Sequence, residues 1–265
     1  MTDKSVFLDD RGVARVSGED AATFLQGLVT NDVEKLPIGA SRFAALLSPQ
    51  GKILFDFFVF REAADSFLLD APAEKTAELV KRLGFYKLRA KVAVSDESAN
   101  LAVVATDAGG PPDPRAEALG ARRIVPRAEA PAPDAQARAA YEARRIALGA
   151  PQGGLDFAYG DAFPHDVNMD LLNGVDFAKG CYVGQEVVSR MKHRGGVRKR
   201  VARVRLDGPP PPPGTPVLDG ELPVGALGGS AGRDALALLR VDRAEEAEAA
   251  GRKLVAGGVG ITRIS

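Results

Sequence analysis

The chain has no tryptophan, a single cysteine and only two histidines in 265 residues. One thiol excludes an internal disulfide framework and fits a reducing compartment. It also excludes a zinc or iron–sulphur site built only from the cysteines of one chain. Charge of one sign is not in excess. Lys plus Arg and Asp plus Glu number 35 each, so no global imbalance points to nucleic acid or to a membrane. No apolar run reaches the ~18 residues of a spanning helix. The opening Met1-Thr2-Asp3-Lys4-Ser5 offers neither a secretory signal nor an Arg-rich transit peptide. The expectation is a soluble, cytoplasmic chain with no membrane partner. Nucleotide-driven chemistry is not expected either. Gly51-Lys52 lacks the rest of a P-loop, and the glycines between Gly225 and Gly232 match no dinucleotide fingerprint.

What is present centres on Lys179-Gly180-Cys181-Tyr182-Val183-Gly184-Gln185-Glu186, which holds the only cysteine. Gly180 and Gly184 permit backbone conformations and close approaches that a side chain would block. Lys179, two residues before Cys181, would favour the thiolate if its ammonium lay near the sulfur. Gln185 and Glu186 stand where the loop enters a predicted helix (Glu186 to Met191) and can offer acceptors to a ligand's N–H groups. The competing reading is that Cys181 is a small buried hydrophobe.

The octapeptide resembles the K-G-C-Y-x-G-Q-E signature of the YgfZ-type folate-binding proteins. These are relatives of the glycine-cleavage T protein that assist iron–sulphur enzymes. Three more blocks resemble that family in order: Phe24-Leu25-Gln26-Gly27-Leu28-Val29-Thr30-Asn31-Asp32-Val33, Leu47-Ser48-Pro49-Gln50-Gly51-Lys52-Ile53, and Tyr86-Lys87-Leu88-Arg89. The resemblance implies an α+β fold: a T-protein-like folate-binding body with antiparallel sheets and flanking helices, plus a small C-terminal β-barrel. It implies tetrahydrofolate or a derivative as ligand, and iron–sulphur enzymes or cluster carriers as partners. Cys181 would be available for thiol exchange, sulfur handling or transient ligation of an iron–sulphur cluster. Glu186 and Gln185 would meet the pterin, with Asn31 beside them and an aromatic, Tyr141, against the ring. Arg11 stands where some relatives carry a stacking aromatic.

Patterning along the chain agrees. Val6–Leu8 and Val13–Val16 flank the turn signal at 9–12 and predict a hairpin. Ser17 and Asp20 make an S-x-x-D cap for a helix carrying Phe24, Leu25 and Leu28 on one face. Residues 42–47 and 52–60 predict a second hairpin around Pro49-Gln50-Gly51, its second strand apolar on both faces except for Asp56. A strand at 66–71, a helix at 73–84 and strands at 90–95 and 101–106 follow. A helix carrying Tyr141 ends at Gly149-Ala150-Pro151. The expected organisation is a body over 1–198, in two parts with a break near 107–135, and a barrel module over 199–265. The proline run 209–213 reads as a loop.

Two other functions are weighed. A folate-dependent aminomethyltransferase would use adjacent aspartates where this chain has Phe55-Asp56, leaving Asp56 as the one candidate carboxylate; a buried Asp is as often structural. RNA contact through Arg190, Lys192, Arg194, Arg198, Lys199, Arg200, Arg203 and Arg205 is the non-enzymatic alternative. Residues 187–206 contain no aromatic for base stacking, so nucleic acid is not the expected partner. A Cys–His nucleophile would need His165 or His193 beside Cys181.

Overall fold

The structure, a computed structural model, describes residues 5–194 and 197–264, without the Arg194 side chain. Its first strands are β1 (Val6–Phe7) and β2 (Arg11–Ser17), followed by a short helix α1 (Ala21–Gln26). Then come β3 (Ser41–Leu47), β4 (Ile53–Ala63), β5 (Ser66–Pro72), α2 (Ala73–Tyr86), β6 (Ala93–Asp96), β7 (Leu101–Thr106) and β8 (Ala121–Pro126). Helices α3 (Ala135–Ala147) and α4 (Gln185–Arg194) lead to β9 (Lys199–Leu206). The chain closes with β10 (Pro216–Asp219), β11 (Leu222–Ala231), β12 (Asp234–Arg240), α5 (Val241–Ala249), β13 (Leu254–Ala256) and β14 (Val259–Ile264).

The strands form an antiparallel five-stranded sheet in the order β3-β4-β5-β2-β6, a three-stranded sheet β1-β7-β8, and a closed barrel β10-β11-β12-β9-β14-β13. The α+β body with its small C-terminal barrel is therefore as the sequence implied. Strand β4 shows why its residues are apolar on both faces. Side chains alternate across a strand. Phe55, Phe57 and Val59 join a core with α1 and α2, while Ile53, Phe58 and Phe60 join a second core with β7 and α3. Asp56 and Asp70 lie on that second face, and so does Arg11, two residues from Val13, whose register partner is Asp70.

Two local expectations do not survive. The first hairpin is not formed: β1 pairs with β7, whereas β2 pairs with β5 and β6. Buried Leu8 donates its N–H to Val103 and accepts from Arg11, so the turn carries the chain from one sheet to the other. Ser17 ends β2 and does not cap α1. Asp20 stands at the N-cap position but makes no capping bond; its carboxylate accepts the Lys91 N–H at 2.7 Å. Between residues 107 and 135 lies β8, the third strand of the smaller sheet.

One buried carboxylate bridges the barrel and the body. Asp156 accepts from the Arg145 guanidinium of α3 at 2.6 Å, from the Gln152 N–H at 2.7 Å and from the Gly229 N–H of β11 at 2.7 Å. Gly229 and its neighbour Gly228 are required there, because a Cβ on Gly228 would lie 2.4 Å from an Asp156 oxygen. Substituting Asp156→Ala removes three bonds and leaves a buried guanidinium with one fewer partner. A loss of about 3 kcal/mol is expected, read as a lower urea midpoint; a change of less than ~0.5 kcal/mol, the size of an ordinary surface effect, would show that the barrel is held by other means.

Candidate functional site

Three of the sequence motifs meet beneath Cys181. Lys179 is buried, and its ammonium donates to the carbonyl oxygens of Gln26 at 2.8 Å, Val29 at 2.6 Å and Asn31 at 2.8 Å. Gln26 ends α1, where helix geometry leaves carbonyls without backbone donors, and Val29 and Asn31 lie in the turn after it. Burial lowers the Lys179 pKa to about 8, with Asp32 and Asp176 acting against the shift. On the other side, Gly184 sits at φ +83° against the turn of the β3–β4 hairpin; a Cβ there would lie 2.6 Å from the Ser48 carbonyl and 3.1 Å from Gly51. Asp176 shapes the start of the loop, its carboxylate accepting the N–H groups of Ala178 at 2.7 Å and Lys179 at 3.1 Å. Tyr182 is buried under the loop, and burial followed by Asp176 pushes its hydroxyl up to about 12.

Cys181 itself is free and exposed. Among the described residues it makes no hydrogen bond, and Lys179 has all three of its N–H groups directed at carbonyls. Lys179 thus acts as a clamp on the turn after α1. His165 does not pair with the thiol either. It is buried, both ring nitrogens lack partners, and its ring lies 5.9 Å from that of Phe177. His193 is exposed on α4. A Cys–His nucleophile is not assembled.

The residues expected to hold a pterin are dispersed. Glu186 is exposed on the first turn of α4 and pairs with Arg190 at 2.6 Å; Gln185 is half-buried next to it. Asn31 is buried and spent: its amide donates to the Phe43 carbonyl at 2.8 Å and the Asn173 carbonyl at 2.6 Å, and its oxygen accepts from Asp32. Tyr141 and Arg11 lie together at the centre of the body, in a cluster of charges. Arg11 donates to Asp70 at 2.6 Å, Arg122 pairs with the same carboxylate, and Arg115 pairs with Asp113 at 2.8 Å. The Tyr141 hydroxyl accepts from Arg122 at 2.9 Å and Arg115 at 3.2 Å, and the Arg122 guanidinium lies 4.1 Å over the Phe58 ring. Asp56 accepts a hydrogen bond from the Tyr159 hydroxyl, which burial and that carboxylate hold protonated.

At the mouth, Asp10 binds Arg138 at 2.7 and 2.8 Å. Burial would raise its pKa, but the Arg138 bonds and charge, with Arg11 and Gln152, outweigh that and hold it at about 2. The cavity left among these side chains measures about 20 Å³, room for about one water. No pterin-sized space is open among these side chains, and their charged groups satisfy one another. Sequence reasoning missed Asp70, Asp113, Arg115 and Arg122. Asp70 and Arg122 are partnered across 52 positions, and Arg115, paired locally with Asp113, reaches Tyr141 across 26, so no local pattern marks the cluster.

The basic segment is largely neutralised. Arg190 pairs with Glu186, Lys199 with Asp161, Arg200 with Asp170 and Arg205 with Asp234. Lys192 lies over the Phe177 ring at 3.8 Å, and Arg203 donates to the Ala147 carbonyl. The Arg194 side chain lies outside the described residues.

Comparison with known proteins places this geometry. Residues 8–111 match the GCVT N-terminal domain, and 198–264 match the CAF17 C-terminal beta-barrel domain. The human iron-sulfur cluster assembly factor IBA57, mitochondrial, is 33% identical over 271 residues, covering 88% of this chain and 76% of that protein. The chain belongs to the IBA57 family. The mouse IBA57 is 35% identical, covering 78% of this chain and 67% of its own length. The Mycosarcoma maydis homologue of IBA57 is 37% identical over 76% of this chain and 57% of its length. Against fungal IBA57 homologues such as that one, the chain spans little more than half of the relative's length. The aminomethyltransferase T of the Bartonella henselae glycine cleavage system superposes with a TM-score of 0.70 at 17% identity, covering 98% of this chain and 84% of that one, which shows the shared fold. The expectation of a cytoplasmic chain is overturned, since these IBA57 relatives are named as mitochondrial proteins.

The clamp generates a test within the IBA57-family chain. Lys179→Met strands three carbonyls in a buried turn and is expected to cost about 3 kcal/mol or more. Cys181→Ser, on the exposed side of the same loop, should change stability by less than ~0.5 kcal/mol. Equal losses in urea melts of the two variants would refute the division of labour.

Proposed function

We propose that this chain is an accessory factor for iron–sulphur cluster assembly that contributes Cys181 as one ligand to a cluster shared with a client enzyme or cluster carrier. The observation that carries the reading is the presentation of the thiol: an exposed, unbonded sulfur on a loop clamped by Lys179 on one side and Gly184 on the other. The names of its relatives, all iron–sulphur cluster assembly factors, support the same role. A cluster takes roughly four ligands. Among the described residues no group of three His, Cys, Asp or Glu could hold a metal, so the other donors come from a partner or a small thiol. The cluster is cargo, and the rigid loop sets where it is handed over.

The test mixes the reduced protein with a glutathione-ligated 2Fe–2S cluster under anaerobic conditions and follows visible circular dichroism. The wild type should acquire a protein-imposed cluster spectrum and Cys181→Ala should not. Identical spectra from the two would defeat the proposal.

The folate part of the expectation is not carried forward. A centre filled by paired arginines and aspartates speaks against a pterin seat, and Glu186 is exposed and paired with Arg190. Tetrahydrofolate added at saturating concentration should leave the melting temperature unmoved. A saturable upward shift would reinstate the ligand, since binding to the native state alone stabilises it. Aminomethyl transfer, which needs that ligand, is not proposed.

A further inference from the structure

The Tyr86-Lys87-Leu88-Arg89 motif takes no part in the Cys181 platform or in the charged centre. It forms the tip of a protrusion at the end of α2. Phe85 is 67% exposed and Leu88 is 90% exposed, the largest values among the large apolar side chains described. Leu88 occupies the apex of a tight turn in which Lys87 donates its N–H to Gly84 and Ala90 donates to Lys87. Its φ is +41°, a left-handed conformation that a leucine adopts only at a cost. The base of the protrusion is anchored: Leu83 is buried, and Tyr86 and Ala90 pack on the core below. The apolar tips are therefore held outward by the fold.

Charge at the tip differs sharply from the neutral whole. Residues 81–91 contain five basic residues and no acidic one. Lys91 is met by Glu19 at 2.8 Å, and Asp20 accepts its backbone N–H. Lys81, Arg82, Lys87 and Arg89 are exposed, and among the described residues their side chains have no ion pair or hydrogen bond. Two exposed apolar tips, a strained apex and four unpartnered cations thus coincide within nine residues.

We propose that this protrusion is a peripheral docking site for an anionic lipid surface. Phe85 and Leu88 would enter the boundary between headgroups and acyl chains, and the surrounding Lys and Arg would lie at headgroup level. Flexible cations without fixed partners suit a diffuse negative surface better than a single carboxylate. Burying an aliphatic tip as prominent as Leu88 favours lipid over nucleic acid, whose bases stack on aromatic and guanidinium planes. The association is shallow and reversible, and among the described residues no helix is long and apolar enough to cross a membrane. Global neutrality, from which the sequence predicts no membrane partner, conceals this local asymmetry.

Co-sedimentation of the full chain with vesicles tests it. Phosphatidylcholine vesicles containing phosphatidylglycerol should bind the wild type, pure phosphatidylcholine vesicles should not, and added salt should release the protein. Leu88→Asn keeps a residue tolerant of the left-handed conformation, removes the apolar tip, and should weaken binding about fivefold or more while melting no lower than the wild type. Lys87→Glu with Arg89→Glu should weaken it about tenfold or more. The proposal fails if anionic vesicles do not bind, if neutral vesicles bind equally, or if both variants bind like the wild type. It fails also if a single-stranded RNA oligomer binds with the same dependence on these residues and the vesicles do not.

Discussion

A carboxylate with no exposed surface, Asp70, stands between the guanidinium groups of Arg11 and Arg122, and the body is arranged around keeping it satisfied. Arg11 and Asp70 come from neighbouring strands of the larger sheet, Arg122 from the smaller sheet, and Tyr141 from α3. Charges removed from water cost several kcal/mol each unless paired. The two sheets and the helix therefore have one arrangement in which every member is compensated. The Phe58 ring under Arg122 and the Asp113–Arg115 pair complete the packing on the same side.

Closing the centre in this way leaves the proposed cluster chemistry to the rim. In the body of a fold shared with an aminomethyltransferase, the middle is occupied by the chain's own side chains. What is left presented to solvent is the thiol of Cys181 on its clamped loop. Lys179 directs its three N–H groups at carbonyls of a distant turn and none at the sulfur. The exchange is physically sensible. A site that must meet a partner in one orientation needs a rigid support more than it needs a nearby charge.

Much of the fold was legible beforehand. The β3–β4 hairpin was marked by Pro49-Gln50-Gly51 and the apolar strand after it, and α3 by its apolar stripe and the Gly149-Ala150-Pro151 stop. The barrel was marked by its Gly and Pro turns, although the brief strand β10 and the Ala- and Glu-rich helix α5 carry little pattern of their own. The first hairpin misled because Val6–Phe7 and Val13–Val16 each have strand character, while the choice of neighbour depends on Val103 and Ala105, some hundred residues on. Of the site residues, Cys181 and Gly184 were legible from rarity and from glycine's freedom at positive φ. Asn31, Tyr141 and Arg11 were noticed for chemistry that the structure directs inward.

The sequence by itself determined the periodicities, the turns and the single thiol, because alternation, glycine placement and composition act within a few residues. It also determined family membership through four ordered motifs. Only the tertiary structure decided which charges meet. Lys179 reaches Gln26 across 153 positions, Arg122 meets Asp70 across 52, and Asp156 reaches Gly229 across 73. A buried charge accepts whichever partner folding brings within about 3 Å, and that partner is set by the packing of whole elements rather than by anything written beside it in the chain.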